Sequence, residues 1–214
     1  MVPGTQDGMS IGIIDVGIGN IGSLRGALYS QGWDTHTVAS PDEMEGVTHL
    51  LLPGVGSYST AMRRLAAAGL LEPIRLHAAA GRPLMGICLG MQLLADTGLE
   101  GGSSAGLALV PGEVIPLERT PGLRLPHVGW NVLHPQQPHP LLKGIRSDVD
   151  FYFVHSYYFN AQSMEDVIGT TEYGMTYPSF VARGSVVGVQ FHPEKSQRNG
   201  LRLLDNFCLW DGAC

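Results

Sequence analysis

The stretch that decides the fold is PLMGICLGMQLL, residues 83–94. The apolar residues 84–87 predict a buried strand, and a helical pattern over residues 89–95 follows at once. Cys88 stands between them, flanked by Gly86 and Gly90 in a G-x-C-x-G segment. A nucleophile on such a sharp turn needs small neighbours, and a helix N-terminus favours the thiolate over the thiol. We therefore predict that Cys88 is a nucleophile. A buried structural cysteine is the alternative.

Strand and helix patterns alternate before this stretch. Strands are predicted over residues 11–15, 33–38 and 49–52, and helices over 23–31, with Ser23 as N-cap, 57–68 and 72–80. Later strands are predicted over 114–117, 151–154, 167–171, 180–182 and 186–191, and a closing helix over 199–209. The order predicts an α/β fold: an open, mostly parallel sheet with helices on both faces and an antiparallel β extension in the second half. We expect a flexible extension at residues 1–10 and a single domain over 11–210.

The composition argues against several classes of partner. The 214 residues are 44% apolar, enough for a sizeable core, and the net charge of −6 does not favour nucleic-acid binding. No apolar run approaches the roughly 20 residues that a membrane span requires. The cysteines, Cys88, Cys208 and Cys214, are irregularly spaced and suggest neither a disulfide framework nor a metal site. Cys208 and Cys214 are interpreted as non-functional. A reducing, cytoplasmic location is expected.

A general base for Cys88 is predicted in VVGVQFHPEKS, residues 186–196. His192 follows a buried apolar run, and Glu194 lies two residues further on. In an extended chain this spacing places both side chains on the same side, so that the carboxylate can orient the imidazole. His-Pro-Glu alone is also typical of a surface turn. Together with the cysteine turn, it predicts a Cys-His-Glu triad.

The loop in LLLPGVGSY, residues 50–58, is a candidate oxyanion hole. Gly54 and Gly56 leave its backbone exposed, so the N–H groups of Val55 and Gly56 are candidate donors to a developing oxyanion. The N–H of Leu89, directly after the nucleophile, is their expected counterpart. A plain β-turn is the alternative interpretation of this loop.

A second glycine-rich turn lies in IGIIDVGIGNIGSL, residues 11–24. Gly17, Gly19 and Gly22 have the G-x-G-x-x-G spacing of a dinucleotide-binding turn. That site also needs an acidic residue at the end of the second strand, where this sequence has Ser40. The pattern therefore favours a turn used for its backbone geometry, and neither a cofactor nor a metal is expected.

The motifs PGVGSY, GICLGMQLL and FHPEKS, in this order, resemble those of the class I (triad) glutamine amidotransferases. Within that family, LPHVGWN (residues 125–131), FYFVHSYYF (151–159) and VIGTTEYG (167–174) resemble the glutaminase subunits of imidazole glycerol phosphate synthases. The resemblance extends from residue 11 to residue 207.

The resemblance implies a flavodoxin-like fold and the hydrolysis of glutamine to glutamate and ammonia through a thioester on Cys88. His192 would move the proton, and Glu194 would orient His192. The positions that match the family's glutamine pocket are Gly56, Gln92, Glu100, His155 and Ser156.

The resemblance also implies a partner. Ammonia would pass to a separate (β/α)₈ cyclase subunit, in a heterodimer that forms imidazole glycerol phosphate and AICAR in histidine biosynthesis. The residues expected to face this partner are Gly19, Asn20, His127, Trp130 and Asn131. His127 and His155 could instead be packed histidines with satisfied ring nitrogens.

Two alternatives remain open from the sequence. One is a paralogous amidotransferase that supplies ammonia to cell-surface sugar biosynthesis, because the glutaminase motifs are shared. The other is a non-catalytic ligand-binding protein on the same fold. The Gly54-Val55-Gly56 segment carries a further expectation: one peptide has to rotate before its N–H faces the oxyanion, which would couple glutaminase activity to the partner.

Overall fold

The computed structural model describes residues 8–213. Most of the extension expected at residues 1–10, together with Cys214, lies outside the described residues. Met9 packs against the core, and the carbonyl of Ser10 accepts hydrogen bonds from the N–H groups of Thr48 and His49. The chain is therefore already held against the sheet at Ser10.

The first half alternates strands and helices, as predicted. Its elements are β1 (Ile11–Ile14), α1 (Ile21–Ser30), β2 (Thr35–Val38), β3 (His49–Gly54), α2 (Tyr58–Ala67), α3 (Leu71–Ala79), β4 (Leu84–Cys88) and α4 (Leu89–Gln92). The predicted N-cap of α1 is wrong. Asn20 caps this helix, and the N–H of Ser23 donates to its Oδ1 at 3.3 Å. The helix therefore begins two residues earlier than predicted.

The second half is dominated by strands. Its elements are β5 (Thr97–Gly98), β6 (Ser104–Ala105), β7 (Gly112–Pro116), β8 (His127–Pro135), β9 (Val149–His155), β10 (Tyr157–Ala161), β11 (Val167–Glu172), β12 (Thr176–Arg183), β13 (Val186–Val189) and α5 (Gln197–Cys208). Short 3₁₀ helices span Pro41–Met44, Pro140–Leu142, Met164–Asp166 and Pro193–Lys195. Strands β5, β6, β8 and β10 were not predicted.

The main sheet has nine strands in the order β2-β1-β3-β4-β13-β12-β11-β8-β9. The first five are parallel, in the order typical of flavodoxin-like folds, and the last four extend the sheet antiparallel. A second sheet has the order β10-β7-β5-β6. The predicted fold class is confirmed.

Helices cover both faces of the main sheet because its parallel strands are apolar on both sides. Ile13 and Leu51 face the core that contains Leu28 of α1 and Phe207 of α5. Residues one step along these strands face the opposite core, which contains side chains of α2 and α3. Among residues 8–213, no helix is long and apolar enough to cross a membrane.

The carboxyl ends of β3, β4 and β13 lie side by side. Gly54 at the end of β3 is in register with Cys88, and Val189 at the end of β13 is in register with Ile87. Open α/β sheets bind ligands at this edge. The topology thus brings the candidate nucleophile, the candidate oxyanion loop and the segment of His192 to one place.

Candidate active site

Cys88 occupies a strained turn between β4 and α4. Its φ of 56° lies in the left-handed region, which residues other than glycine rarely adopt. A Cβ at Gly86 would lie 2.5 Å from the carbonyl oxygen of Gly90, and a Cβ at Gly90 would overlap the carbonyl oxygen of Leu52. The two flanking glycines therefore allow α4 to pack directly on β3 and β4. This geometry holds the cysteine at the carboxyl edge of the sheet.

The Cys88 side chain is nearly buried and contacts two polar groups. Its thiol can donate to the carbonyl of Val154 at 3.7 Å, and Nε2 of Gln190 donates to its sulfur at 3.8 Å. Gln190 is fully buried. Sequence reasoning missed this residue, although a polar side chain inside the apolar run before His192 was a usable signal.

His192 and Glu194 form a buried pair. Nδ1 of His192 lies 2.8 Å from Oε1 of Glu194, and their side chains are only 3% and 5% exposed. The predicted extended backbone is wrong here, because residues Pro193–Lys195 form a 3₁₀ helix. The contact between the two side chains is made across this tight turn.

The protonation of His192 follows from its partners. A carboxylate only accepts, so Nδ1 carries a proton and the neutral ring has its lone pair on Nε2. Burial would lower the pKa of His192, but the nearby Cys88 sulfur, as a thiolate, and the Glu194 carboxylate outweigh burial and raise it. Among the described residues, no atom meets hydrogen-bond geometry with this buried Nε2. The ring is thus arranged to accept a proton at Nε2.

One of the predicted oxyanion donors, in the loop after β3, is already used in a hydrogen bond within the protein. The N–H of Val55 donates to the carbonyl of Ile18, in the turn after β1. Gly56 has a φ of 98°, so this position favours glycine. In this conformation the Val55 N–H is therefore not available to a substrate.

A cavity opens in front of Cys88. It has about 510 Å³ of empty volume, including its mouth, and Cys88 and Leu89 form part of its wall. The wall also includes every residue predicted for the glutamine pocket: Gly56, Gln92, Glu100, His155 and Ser156. The cavity can hold a small polar molecule with its reacting carbon near the sulfur. Across residues 8–213, no three His, Cys, Asp or Glu side chains gather in a way that could hold a metal ion.

Comparison with known proteins gives the family. Residues 12–210 match the family model described as glutamine amidotransferase class-I. The chain belongs to this family. It is 46% identical over 201 residues to the imidazole glycerol phosphate synthase subunit HisH of Desulfitobacterium hafniense (strain DSM 10664 / DCB-2), covering 94% of each chain. It is 48% identical over 198 residues to HisH of Moorella thermoacetica, covering 92% of this chain and 93% of that one.

Solved structures support the same fold. A crystal structure of a glutamine amidotransferase superposes with a TM-score of 0.73 at 22% identity, covering 95% of this chain and 99% of that one. The structure of PurLQS from Thermotoga maritima gives a TM-score of 0.73 at 17% identity, covering 93% of this chain and 97% of that one.

Gln92 of this amidotransferase uses its carboxamide nitrogen within the protein. Nε2 donates to the carbonyl of Tyr157 at 2.8 Å and to Oε1 of Gln190 at 3.0 Å. Because both hydrogens are used, only Oε1 of Gln92 is left to contact a ligand, as an acceptor. Glu100 accepts a hydrogen bond from the N–H of Tyr58 at 2.8 Å and so caps α2. An acceptor and a carboxylate in the wall suit a ligand that carries an ammonium or amide group.

His155 lines the amidotransferase cavity, but protein partners occupy both of its ring nitrogens. Nδ1 lies 2.8 Å from the carbonyl of Tyr157, and Nε2 lies 3.1 Å from the hydroxyl of Tyr177 and 3.3 Å from Nδ1 of His127. Burial lowers the pKa of His155 to about 3. The ring is neutral and shapes the pocket wall, while its nitrogens are engaged within the protein.

The residues predicted to face a partner lie in different environments. Asn20 is exposed and Gly19 is half-buried against Pro53. Trp130 is 47% exposed on β8. Asn131 is half-buried, and its amide donates to the carbonyl of Glu172 at 2.9 Å.

His127 is the exception among these residues. It is only 2% exposed, and its ring stacks on Tyr173 with centroids 3.9 Å apart. Its side chain is therefore not available to a partner in the free chain, and the structure places it among packed aromatic rings.

Proposed function

We propose that this chain is the glutaminase subunit of an imidazole glycerol phosphate synthase. It hydrolyses L-glutamine to L-glutamate and ammonia. The observation that carries the proposal is that His192, paired with Glu194, interacts with Cys88, and that Cys88 lines a cavity. The HisH relatives support the histidine pathway over the sugar-pathway alternative.

Acylation begins with the thiol proton. Nε2 of His192 takes this proton, and the sulfur attacks the carboxamide carbon of glutamine. The resulting imidazolium is stabilised by Glu194 through Nδ1. The tetrahedral intermediate then collapses: the C–N bond breaks, His192 returns the proton to the leaving nitrogen, and ammonia departs. Glutamate is left as a thioester on Cys88.

Deacylation repeats these steps with water. His192 removes a proton from the attacking water, the new C–O bond forms, and the C–S bond breaks. The sulfur leaves as a thiolate, which the same histidine can reprotonate. Oε1 of Gln92 and the carboxylate of Glu100 hold the α-ammonium end of the substrate, because both are acceptors in the cavity wall.

The oxyanion hole is incomplete in the free subunit. The Leu89 N–H, directly after the nucleophile, supplies one donor, and the Gly54–Val55 or Val55–Gly56 peptide supplies the other after rotation. The bond from Val55 N–H to the carbonyl of Ile18 holds the loop in its resting position. Ile18 lies in the same turn as Gly19 and Asn20, so a partner that docks there can release Val55. This link supports a glutaminase that is idle until its partner binds.

The partner in this proposal is a (β/α)₈ cyclase subunit that receives the ammonia. Exposed side chains of Val128 and Trp130 on β8, together with Asn20, form the surface offered to it. A cytoplasmic location is part of the same proposal, because a cysteine nucleophile must stay reduced.

The test is glutamate release from glutamine by the purified chain, alone and with a histidine-pathway cyclase and its ribonucleotide ligand. A large rise on adding both is expected, and Cys88→Ala should abolish turnover. Unchanged turnover in Cys88→Ala would refute the thioester mechanism. A free subunit as fast as the complex would refute the resting loop.

A further inference from the structure

Gln190 is a buried polar residue beside the nucleophile that the mechanism above does not use. It directly follows β13, is fully buried, and its Nε2 lies 3.8 Å from the sulfur of Cys88. Its backbone N–H is already paired with the carbonyl of Ser179 at 2.9 Å. A carboxamide at this depth needs partners for its own oxygen and nitrogen. Those partners are Gln92 on one side and Cys88 on the other.

The orientation of the Gln190 carboxamide follows from the backbone carbonyl of Tyr157, which contacts Gln92, which in turn contacts Gln190. The Tyr157 carbonyl can only accept, so the Gln92 atom 2.8 Å from it is the nitrogen. The same nitrogen lies 3.0 Å from Gln190, which must therefore present its oxygen to Gln92. The nitrogen of Gln190 is then left to face the sulfur. A flipped carboxamide would set two NH₂ groups against each other and turn an oxygen towards the sulfur.

We propose that Gln190 is a further catalytic residue, whose Nε2–H donates a hydrogen bond to the Cys88 sulfur and stabilises its thiolate. The inference rests on the proposed glutaminase reaction and deepens it. When His192 takes the thiol proton, the sulfur can no longer donate to the carbonyl of Val154 and becomes an anion beside that oxygen. The N–H of Gln190 offsets this unfavourable contact.

The same donor acts in deacylation. When the C–S bond of the thioester breaks, the electron pair goes to the sulfur, and the thiolate forms again against Nε2 of Gln190. The donor therefore serves a leaving group as well as a nucleophile. Gln92 connects this donor to the pocket, because it contacts both the cavity and Oε1 of Gln190.

The experiment measures thiolate formation directly, without glutamine. The purified full chain is alkylated with iodoacetamide over a range of pH, and modification of the peptide that contains Cys88 is followed by mass spectrometry. Reading that peptide alone keeps Cys208 and Cys214 out of the signal. The variants are Gln190→Met and, as matched control, Gln137→Met. Gln137 makes two bonds from Nε2, to the carbonyls of Glu165 and Val167, each at 2.8 Å.

The midpoint of the alkylation profile should move up by about one pH unit in Gln190→Met, a tenfold loss of thiolate below the midpoint. It should stay in place in Gln137→Met. An unmoved midpoint in folded Gln190→Met overturns the proposal. A shift, with no glutaminase activity in the native chain even when the cyclase and its ribonucleotide ligand are present, would keep the donor and remove the proposed function. Glutaminase activity without a shift of the alkylation midpoint would keep the proposed function and remove the donor role of Gln190.

If the Gln190→Met variant does not fold, a second measurement tests the proposal on the native chain. In the native chain with ¹⁵N-labelled glutamine side chains, one carboxamide signal should change with pH at the alkylation midpoint. The same signal should not change in Cys88→Ala. If no carboxamide follows the midpoint in the native chain, Gln190 does not sense the sulfur and the proposal fails.

Discussion

At the scale of single residues, the two glycines that flank Cys88 matter as much as the cysteine, because neither position has room for a side chain. Gly90 has no room for a methyl group, because the carbonyl of Leu52 occupies that space. Gly86 is restricted by the backbone of the first turn of α4. The strained φ of Cys88 persists because this close packing determines the path of the chain on both sides.

A methyl group at Gly90 should be among the most damaging small changes in this chain. We expect Gly90→Ala to lower the free energy of unfolding by about 3 kcal/mol or more, because the clash is with backbone that cannot move aside. Urea denaturation measures the effect. Gly26→Ala is the control, since Gly26 lies inside α1 with open space around it, and it should gain about 0.5–1 kcal/mol. Similar losses in both variants would contradict this account.

The sequence allowed prediction of the candidate catalytic side chains but not of all their contacts. Cys88, His192 and Glu194 could be predicted because each lies in a local motif with a chemical reason. For Gln190 the sequence offered only a polar side chain in an apolar run, and its partner could not be predicted because the contact is with a sulfur 102 positions away in the chain. The spacing of a motif carries no information about which distant side chain a buried carboxamide meets.

At the scale of elements, the 3₁₀ helix that carries Glu194 is held in place by hydrogen bonds to the backbone of His192, the residue before its first turn. Ser196 is buried, and its hydroxyl donates to the carbonyl of His192 at 2.6 Å. The same hydroxyl accepts the N–H of Tyr152 in β9 at 3.0 Å. The backbone N–H of His192 also donates to the carbonyl of Tyr152, at 2.9 Å. The position of His192 is thus set by the strand next to it.

Removing this hydroxyl should affect stability and activity together. In Ser196→Ala the part-buried N–H of Tyr152 loses its acceptor, so the free energy of unfolding should fall by about 1–3 kcal/mol. Glutaminase turnover should fall as well, because His192 is less firmly held. Thermal unfolding and glutamate release are the measurements.

The matched control for Ser196→Ala is Ser163→Ala. Ser163 is the N-cap of the 3₁₀ helix Met164–Asp166, and its Oγ accepts the N–H of Glu165 at 3.1 Å, at an exposed position. Ser163→Ala should lower the free energy of unfolding by about 0.5–1 kcal/mol and leave glutaminase turnover unchanged. Full turnover in Ser196→Ala would show that the other anchors of His192 suffice.

Element prediction failed where periodicity was weak or where tertiary contacts decided the conformation. Strand β8 was missed because its burial does not alternate cleanly along His127–Pro135. It forms through pairing with β9, the next strand of the chain, and with β11, which follows further along. The parallel strands β1, β3 and β4 were predictable because burial on both faces makes them continuously apolar.

At the scale of the whole molecule, several histidines are buried as neutral rings. Burial lowers the pKa of His139 and His127 to about 4, and the pKa values of His49, His77 and His155 are lowered for the same reason. An unfolded chain binds protons on these rings below about pH 6.5, whereas the folded chain does not. Their contribution to stability is therefore lost as pH falls below 6.5. The raised pKa of His192 acts in the opposite sense, because its contribution is present at low pH and lost as pH rises through that raised value.

We expect His139→Asn to make unfolding less sensitive to acid. Nδ1 of His139 accepts the N–H of Leu141 at 3.2 Å, and an asparagine oxygen can replace this acceptor without a titrating ring. The variant loses packing against Phe180 and Trp210 at every pH, so the readout is the slope. Between about pH 6.5 and 5, the free energy of unfolding should fall less steeply with falling pH in the variant. The difference in slope should correspond to the uptake on unfolding of up to about one proton fewer than in the native chain.

The control for the acid slope is Asn206→Ala in α5. It removes hydrogen bonds to the carbonyls of Leu141 and Lys143 but no titrating ring, so it should leave the slope as it is. Urea titrations at several pH values provide the comparison. Equal slopes in native chain and His139→Asn would show that His139 does not contribute to acid sensitivity.

The outer edge of β9 has a consequence for association between chains. This strand ends the nine-stranded sheet, yet its outward groups at Asp150, Tyr152 and Val154 are taken up by Asn199, Ser196, His192 and Cys88. An uncovered edge is a template for intermolecular strand pairing. The segment that carries His192, the proposed general base, therefore also keeps the sheet from growing into a neighbouring copy. A chain that loses the order of this segment would become inactive and prone to aggregation in the same step.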